Sequence, residues 1–220
     1  MPPPLDLLPP LLDGLLVTLT LTAGATVVAV FASFTAGLAR FSQDRFIRIT
    51  ALIYIDVFRG TSVLVQLFWV YFTLPLLGIE IDAMTAGILV LGLNIGSYGA
   101  EVVRGALQAV PAAQQEAALA LNFTPRQTLM RILLPQSILP MLPPFGNLWI
   151  ELLKGTALAS MITLNEIVFQ GQILRASTFR SAEIFSLILC LYFIVALGMT
   201  SLIHRLERRL VLGRDYGGVR

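Results

Sequence analysis

The chain has 220 residues, 56% hydrophobic and 13% charged, with a formal net charge of +2; soluble domains carry roughly 25% charged residues. This composition excludes a water-soluble globular domain and a disordered chain, and a single cysteine, Cys190, excludes a disulfide scaffold. Cys190 and His204 are each alone of their kind, which excludes Cys–His zinc chemistry, and the small net charge excludes a basic surface for nucleic acid.

A bilayer core of ~30 Å takes about 20 mostly apolar residues per helix. Met1–Gly14 holds Asp6 and Asp13 but no Lys or Arg, and the apolar stretch behind it is longer than the core of a signal peptide, so a first span is expected there in place of a cleaved leader. Leu15–Leu38 is uncharged and predicts a first span over 15–39; Arg40, Arg45 and Arg48 follow it. Thr61–Ile79 predicts a second span over 57–79, followed by Glu80 and Asp82 with no positive charge. Ala83–Ala100 predicts a third over 83–105. There Gly87, Gly92, Gly96 and Gly99 let a neighbouring helix come close. Gln136–Asn165 predicts a fourth over 136–165. It holds Pro140, Pro143 and Pro144, then Glu151 and Lys154, and reads as broken or kinked. Arg175 and Arg180 stand against Glu166 and Glu183 ahead of a fifth span over 183–204, and Arg205, Arg208, Arg209, Arg214 and Arg220 come after it. Basic segments thus alternate with less basic ones. The excess of Arg on cytoplasmic loops predicts an outside N-terminus and a cytoplasmic C-terminus. The fold expected is all-α and integral to the membrane, one domain over 1–220 with five transmembrane helices.

The loop over 107–135 is not simply polar. Pro111 suits a helix start, Ala112–Leu121 has high helix propensity, and Asn122 tolerates the left-handed conformation that ends helices. Thr124, Pro125 and Gln127 form a second start signal with the makings of a capping box, and Pro135 is expected to end or kink that helix. The loop reads as helix, tight turn, helix, neither apolar enough to span. It is either a structured connector at the interface or a docking element for a cytoplasmic partner.

Glu116-Ala117-Ala118, then Asn122, then Ile132, Leu134 and Pro135 stand at the full spacing of Glu-Ala-Ala, three residues, Gly, nine residues, Ile-x-Leu-Pro. This resembles the EAA loop of ABC importer permeases, with Asn122 in place of Gly. Further segments are similar to the polar amino-acid uptake subfamily: 54–68, with Ser62 where Pro is usual; 96–110, followed by Ala113 where Gly is usual; Leu134-Pro135-Gln136; 143–147; and 152–158, with Gly155 and Ala157 as departures. Together they cover roughly 15–204.

The resemblance implies the transmembrane domain of a type I ABC importer, in the bacterial plasma (inner) membrane. It implies as partners a cytoplasmic ATP-binding-cassette ATPase dimer, a second permease subunit (the same or a homologous chain), an extracytoplasmic solute-binding protein and the lipid bilayer, with no nucleic acid. It implies no catalytic residue, metal or cofactor in this chain, ATP hydrolysis belonging to the partner. The implied solute is a small zwitterion: a polar amino acid, or an amino-acid-like compound such as an opine or ectoine. In the loop, Glu116 would contact the ATPase or cap its own helix, and Ala117 and Ala118 would permit close approach. Leu121 and Ile132 would fill an apolar groove, and Asn122 would set the bend. Pro135 closes the motif. Arg126 would pair with an acid on the partner or, with Arg131, anchor the loop inside.

Ionisable residues at membrane depth are costly and mark function or tight pairing. Asp56–Arg59 and Glu101–Arg104, each three apart, read as pairs that hold spans together. Glu151 and Lys154 have the same spacing beside a Pro-rich segment and either pair or line the solute route, with Asn94, Asn147 and Thr156 as neutral candidates. Two other functions compete. An ion-gradient-driven secondary transporter is disfavoured by five spans without a visible inverted repeat. A membrane enzyme needs a clustered nucleophile, base or metal set. His204, beside Arg205, reads as interfacial anchoring, and there is no Gly-x-x-x-x-Gly-Lys-Ser/Thr loop for phosphate.

Overall fold

The computed structural model describes residues 5–215, with side chains over 6–209, so Arg214 and Arg220 fall outside the described side chains. Every regular element among the described residues is helical. The first long helix, α1 (Leu8–Ala39), spends its hydroxyls internally. Thr22, Thr26 and Ser33 donate to carbonyls four residues back at 2.7, 2.7 and 2.6 Å, so no polar group of this face is left bare in an apolar setting. Helix α4 (Ala83–Gln108) starts at Asp82, whose carboxylate accepts from the Thr85 hydroxyl at 2.6 Å and the Thr85 N–H at 3.0 Å. These bonds, the hydroxyl's first, hold Asp82 below the usual carboxylate range.

Helices α1 and α4 lie parallel, because Leu21 meets Gly87, Val28 meets Gly92, Ala32 meets Gly96 and Ser33 meets Gly99. The small residues expected to admit a neighbour admit this one. A Cβ on Gly92 would come 2.6 Å from Cβ of Val28, and one on Gly99 would collide with the Ser33 side chain and lie 3.0 Å from the Phe145 ring. Gly99→Val should therefore force the helices apart, at a cost of about 1–3 kcal/mol or more for overpacking. The measurement is the unfolding temperature in detergent; a value equal to that of the parent chain would refute the close-contact seam.

The second span differs from the expected single stretch over 57–79. An amphipathic helix, α2 (Arg45–Gly60), is capped by Asp44, which accepts from the Phe46 N–H at 2.8 Å. It turns through 104° into α3 (Val63–Phe68), which continues as a wide π turn (Trp69–Thr73) and a tight turn (Leu74–Leu77). The break falls at Thr61 and Ser62, both extended. It survives because side chains serve the freed backbone: the Phe58 carbonyl accepts from the amides of Gln66 at 3.1 Å and Asn94 at 2.9 Å.

The fourth span is bent, as expected, but not at its prolines. The short helix α6 (Pro125–Thr128) runs through a π turn (Leu129–Leu133) straight into α7 (Leu134–Gly155). Pro135 does not end it, because the widened turn lies directly N-terminal to the ring that would otherwise meet the preceding carbonyl. Pro140, Pro143 and Pro144 sit inside α7 without breaking it. The break comes later. A tight helical turn (Thr156–Ile162) leads to Thr163 at φ 62, and the chain bends by 51° into α8 (Ile167–Thr178).

Helix α9 (Ser181–Asp215) closes the chain. Leu91 beside Gly155 and Phe145 beside Gly99 make α7 antiparallel to α4, Gly14 beside Ile167 keeps α8 in that sense, and Gly146 beside Ile203 returns α9 parallel to α1. Helices α1, α4 and α9 are each long and apolar enough to cross a membrane, and the two bent pairs raise the number of crossings to as many as five. Leu21, Leu67, Leu91, Leu152 and Ile162 form the main core among them. Arg180 fastens one end of the bundle, bonding Glu183 on its own turn and Asp6 at 2.8 Å; these contacts, Glu183's first, raise the guanidinium above its ordinary value.

Candidate functional site

Helix α5 (Ala112–Ala120) is preceded by Pro111 as its cap residue and ends as the sequence expects. Asn122 is left-handed at φ 56, its N–H donates to the Leu119 carbonyl at 2.9 Å, and the Phe123 N–H reaches the Ala118 carbonyl at 3.0 Å. Asn122→Gly should leave the loop intact, whereas Asn122→Val, β-branched at a positive φ, should cost about 1–3 kcal/mol of local strain. Limited proteolysis of the loop reads the difference, and equal cleavage of both variants would remove the turn argument. The next helix opens with the expected capping box: the Gln127 N–H donates to Thr124 Oγ1 at 3.3 Å, and the Thr124 N–H donates to the Gln127 side chain at 2.8 Å.

The knob formed by α5 and this turn is open to its surroundings. Glu116, Ala117, Leu121, Asn122, Arg126 and Pro135 are exposed, Ile132 is half-buried, and Ala118 is wholly buried where α5 packs on the 129–133 turn. Ala118 thus supports the knob from inside. Glu116 and Arg126 make no side-chain hydrogen bond or ion pair with the described residues, so Glu116 does not cap its own helix. Two leucines project from the knob, Leu119 at 70% exposure and Leu121 at 67%. The sequence reading passed over Leu119, although its place one residue past the buried Ala118 turns it off the packed face.

Further along the same rod, Pro140, Pro144, Asn147, Glu151 and Lys154 are all exposed. Their spacing of four, three, four and three puts them on one stripe of α7. Glu151 and Lys154 do not pair, with each other or with any described residue. Of the expected solute-route residues the fold therefore brings together Asn147, Glu151 and Lys154. Asn94 stands apart, holding the α2–α3 break. So does Thr156, fully buried, donating to the Leu153 carbonyl at 2.6 Å and lying 3.3 Å from the Tyr192 hydroxyl.

The other charged pairs divide. Glu101 joins Arg104 at 2.8 Å, as its spacing predicts, and also Arg40 at 2.9 Å, tying α1 to α4. Asp56 and Arg59 do not pair; Arg59 instead lies over the Tyr98 ring at 5.2 Å. A buried acid went unrecognised in the sequence. Glu166, fully buried at the break ahead of α8, accepts from the Phe169 N–H at 2.9 Å and the Tyr192 hydroxyl at 3.4 Å, while Thr18 Oγ1 accepts from the Ile167 N–H at 3.2 Å. Its signal was an acid just past an apolar stretch, in capping position for the helix that follows.

Residues 28–212 match the family described as binding-protein-dependent transport system inner membrane component. The chain is 41% identical over 217 residues to a probable amino-acid ABC transporter permease protein, y4tF, of Sinorhizobium fredii, covering 96% of this chain and 91% of that one. It is 35% identical over 205 residues to the glutamine transport system permease protein GlnP of Escherichia coli, covering 92% and 94%. The crystal structure of an amino acid ABC transporter with histidines superposes with a TM-score of 0.85 at 36% identity, covering 91% of this chain and 94% of that one.

Proposed function

We propose how this chain works from the premise that it belongs to the family of binding-protein-dependent transport system inner membrane components. It is a multi-pass permease subunit of an amino-acid ABC importer in the bacterial inner membrane, a transport component and not a catalyst. On our reading it crosses the membrane five times, N-terminus outside, with α2–α3 and α6–α8 as the two bent crossings. Nearly all the free arginines then face the cytoplasm, in keeping with the positive-inside rule.

The knob at 107–135 docks in a groove on a cytoplasmic ATPase subunit that hydrolyses ATP. Leu119 and Leu121 enter the groove, and Glu116 and Arg126 meet polar groups at its rim. The stripe Asn147–Glu151–Lys154 faces the solute route, shared with a second permease subunit and supplied by an extracytoplasmic binding protein. Charged side chains exposed at membrane depth need water or a partner, and a zwitterion supplies the partner twice. Its ammonium suits Glu151 and its carboxylate suits Lys154. The solute class is accordingly a polar amino acid, in line with the glutamine permease among the relatives.

One observation carries this reading. Pro125 to Gly155 is one uninterrupted helical segment, about 45 Å long at 1.5 Å per residue, joining the knob to the stripe. ATPase closure pushing on the knob therefore displaces the solute face directly, and the bend at Thr163–Glu166 marks the far end of the rod. Uptake by the purified complex in liposomes tests it. Uptake should require ATP on the knob side and binding protein on the other; uptake driven by an ion gradient without ATP would contradict it and favour a secondary carrier.

A further inference from the structure

The face of α7 opposite the polar stripe closes over a cavity of about 320 Å³, a size at the low end of small-ligand pockets (roughly 300–1,000 Å³). Val30 and Phe34 of α1, Met141 and Phe145 of α7, and Ile203 and Leu206 of α9 form its walls. The two hydroxyls on it, Thr26 and Ser33, are spent on their own helix at 2.7 and 2.6 Å, and the polar group left over is the buried indole N–H of Trp149, which has no partner among the described residues. Along α1 the cavity runs from residue 26 to 34, about 12 Å, and along α7 from 138 to 152, about 21 Å. These lengths bracket the ~15 Å half-thickness of a bilayer core.

Its position and rim decide the occupant. The cavity opens between α1, α7 and α9, where Val30, Ile138 and Leu206 are 44%, 44% and 45% exposed, on the side of α7 away from the solute route; this step rests on the function proposed above. Leu206 marks one end of the cavity, and Arg205, Arg208 and Arg209 lie within one turn of it, all exposed and none in an ion pair among the described residues. Glu207 is the one carboxylate in that turn. Arg40, at the same end of α1, is occupied by Glu101. An apolar slot one leaflet deep, with free guanidinium groups within one turn of its end, fits an anionic amphiphile. We infer that the cavity seats an acyl chain of an anionic phospholipid from the cytoplasmic leaflet, with its headgroup held by the arginines of α9.

Trp149 lines the cavity and is one of two tryptophans; the other, Trp69, is 51% exposed. Brominated acyl chains quench tryptophan on contact. The intact complex, with its partner subunits and Trp69→Phe, is placed in phosphatidylcholine nanodiscs carrying a fixed fraction of brominated phosphatidylglycerol or brominated phosphatidylcholine. The Trp149 signal is the difference from the same complex carrying Trp149→Phe. Quenching by the phosphatidylglycerol should exceed that by the phosphatidylcholine severalfold, and Arg205→Gln, Arg208→Gln and Arg209→Gln together should bring the two level. Equal quenching by both lipids in the parent complex would overturn the inference, as would no quenching of Trp149 by either. Solute uptake is measured on the same preparation: normal uptake without lipid preference overturns the lipid site alone and leaves the solute face standing.

Discussion

Leu119→Asp combined with Leu121→Asp should abolish transport while leaving membrane insertion intact. Both side chains are about two-thirds exposed on a knob held rigid from inside by Ala118, so the change does not disturb the fold of this chain. Burying a leucine on docking contributes about 1.5–3 kcal/mol, and each 1.4 kcal/mol is about a factor of ten in affinity. Losing both should weaken the ATPase contact by roughly a hundredfold or more. Recovery of the ATPase with the tagged permease reads this directly, and uptake should fall to background with it. Normal recovery and uptake would show that the knob is not the docking surface. A bulky residue at Ala118 is a poorer probe, because it would spoil the knob itself.

Substitutions in the polar stripe should act differently. Glu151→Gln and Lys154→Gln each remove one charge that makes no ion pair with a described residue. A charge-assisted hydrogen bond to solute is worth about 1.5–3 kcal/mol, so each variant should raise the solute concentration for half-maximal uptake by roughly 10–100-fold. Complex assembly and basal ATP hydrolysis should be unchanged, because the docking surface is untouched. Unchanged uptake in both variants would take the stripe off the solute route.

Much of this was legible from the residues, and the exceptions have physical causes. The apolar runs pick out α1, α4 and α9, the helices long and apolar enough to cross on their own, because the bilayer sets length and polarity together. The turn at Asn122 and the box at Thr124 and Gln127 are local chemistry and read correctly. The bends do not. Three prolines within α7 suggest a break, yet the helix runs on through them, and the widened turn lies ahead of Pro135 alone. The real breaks, at Thr61–Ser62 and Thr163–Glu166, are licensed by side chains far away in sequence: Asn94 serving Phe58, Thr18 and Tyr192 serving the start of α8. The same distance effect explains the pairs. Glu101 and Arg104 meet because they share a turn, whereas Arg59 leaves Asp56 for the ring of Tyr98 on another helix. Spacing alone also could not separate Asn147, Glu151 and Lys154 from Thr156, which differs in facing inward.

The most direct test places a photo-crosslinking amino acid at position 119 in the assembled transporter, in native membranes. The account predicts an adduct with a cytoplasmic ATPase, with a yield that changes when ATP binds and again when it is hydrolysed. Adducts with lipid alone, in membranes from which the ATPase still co-purifies with this chain, would contradict it.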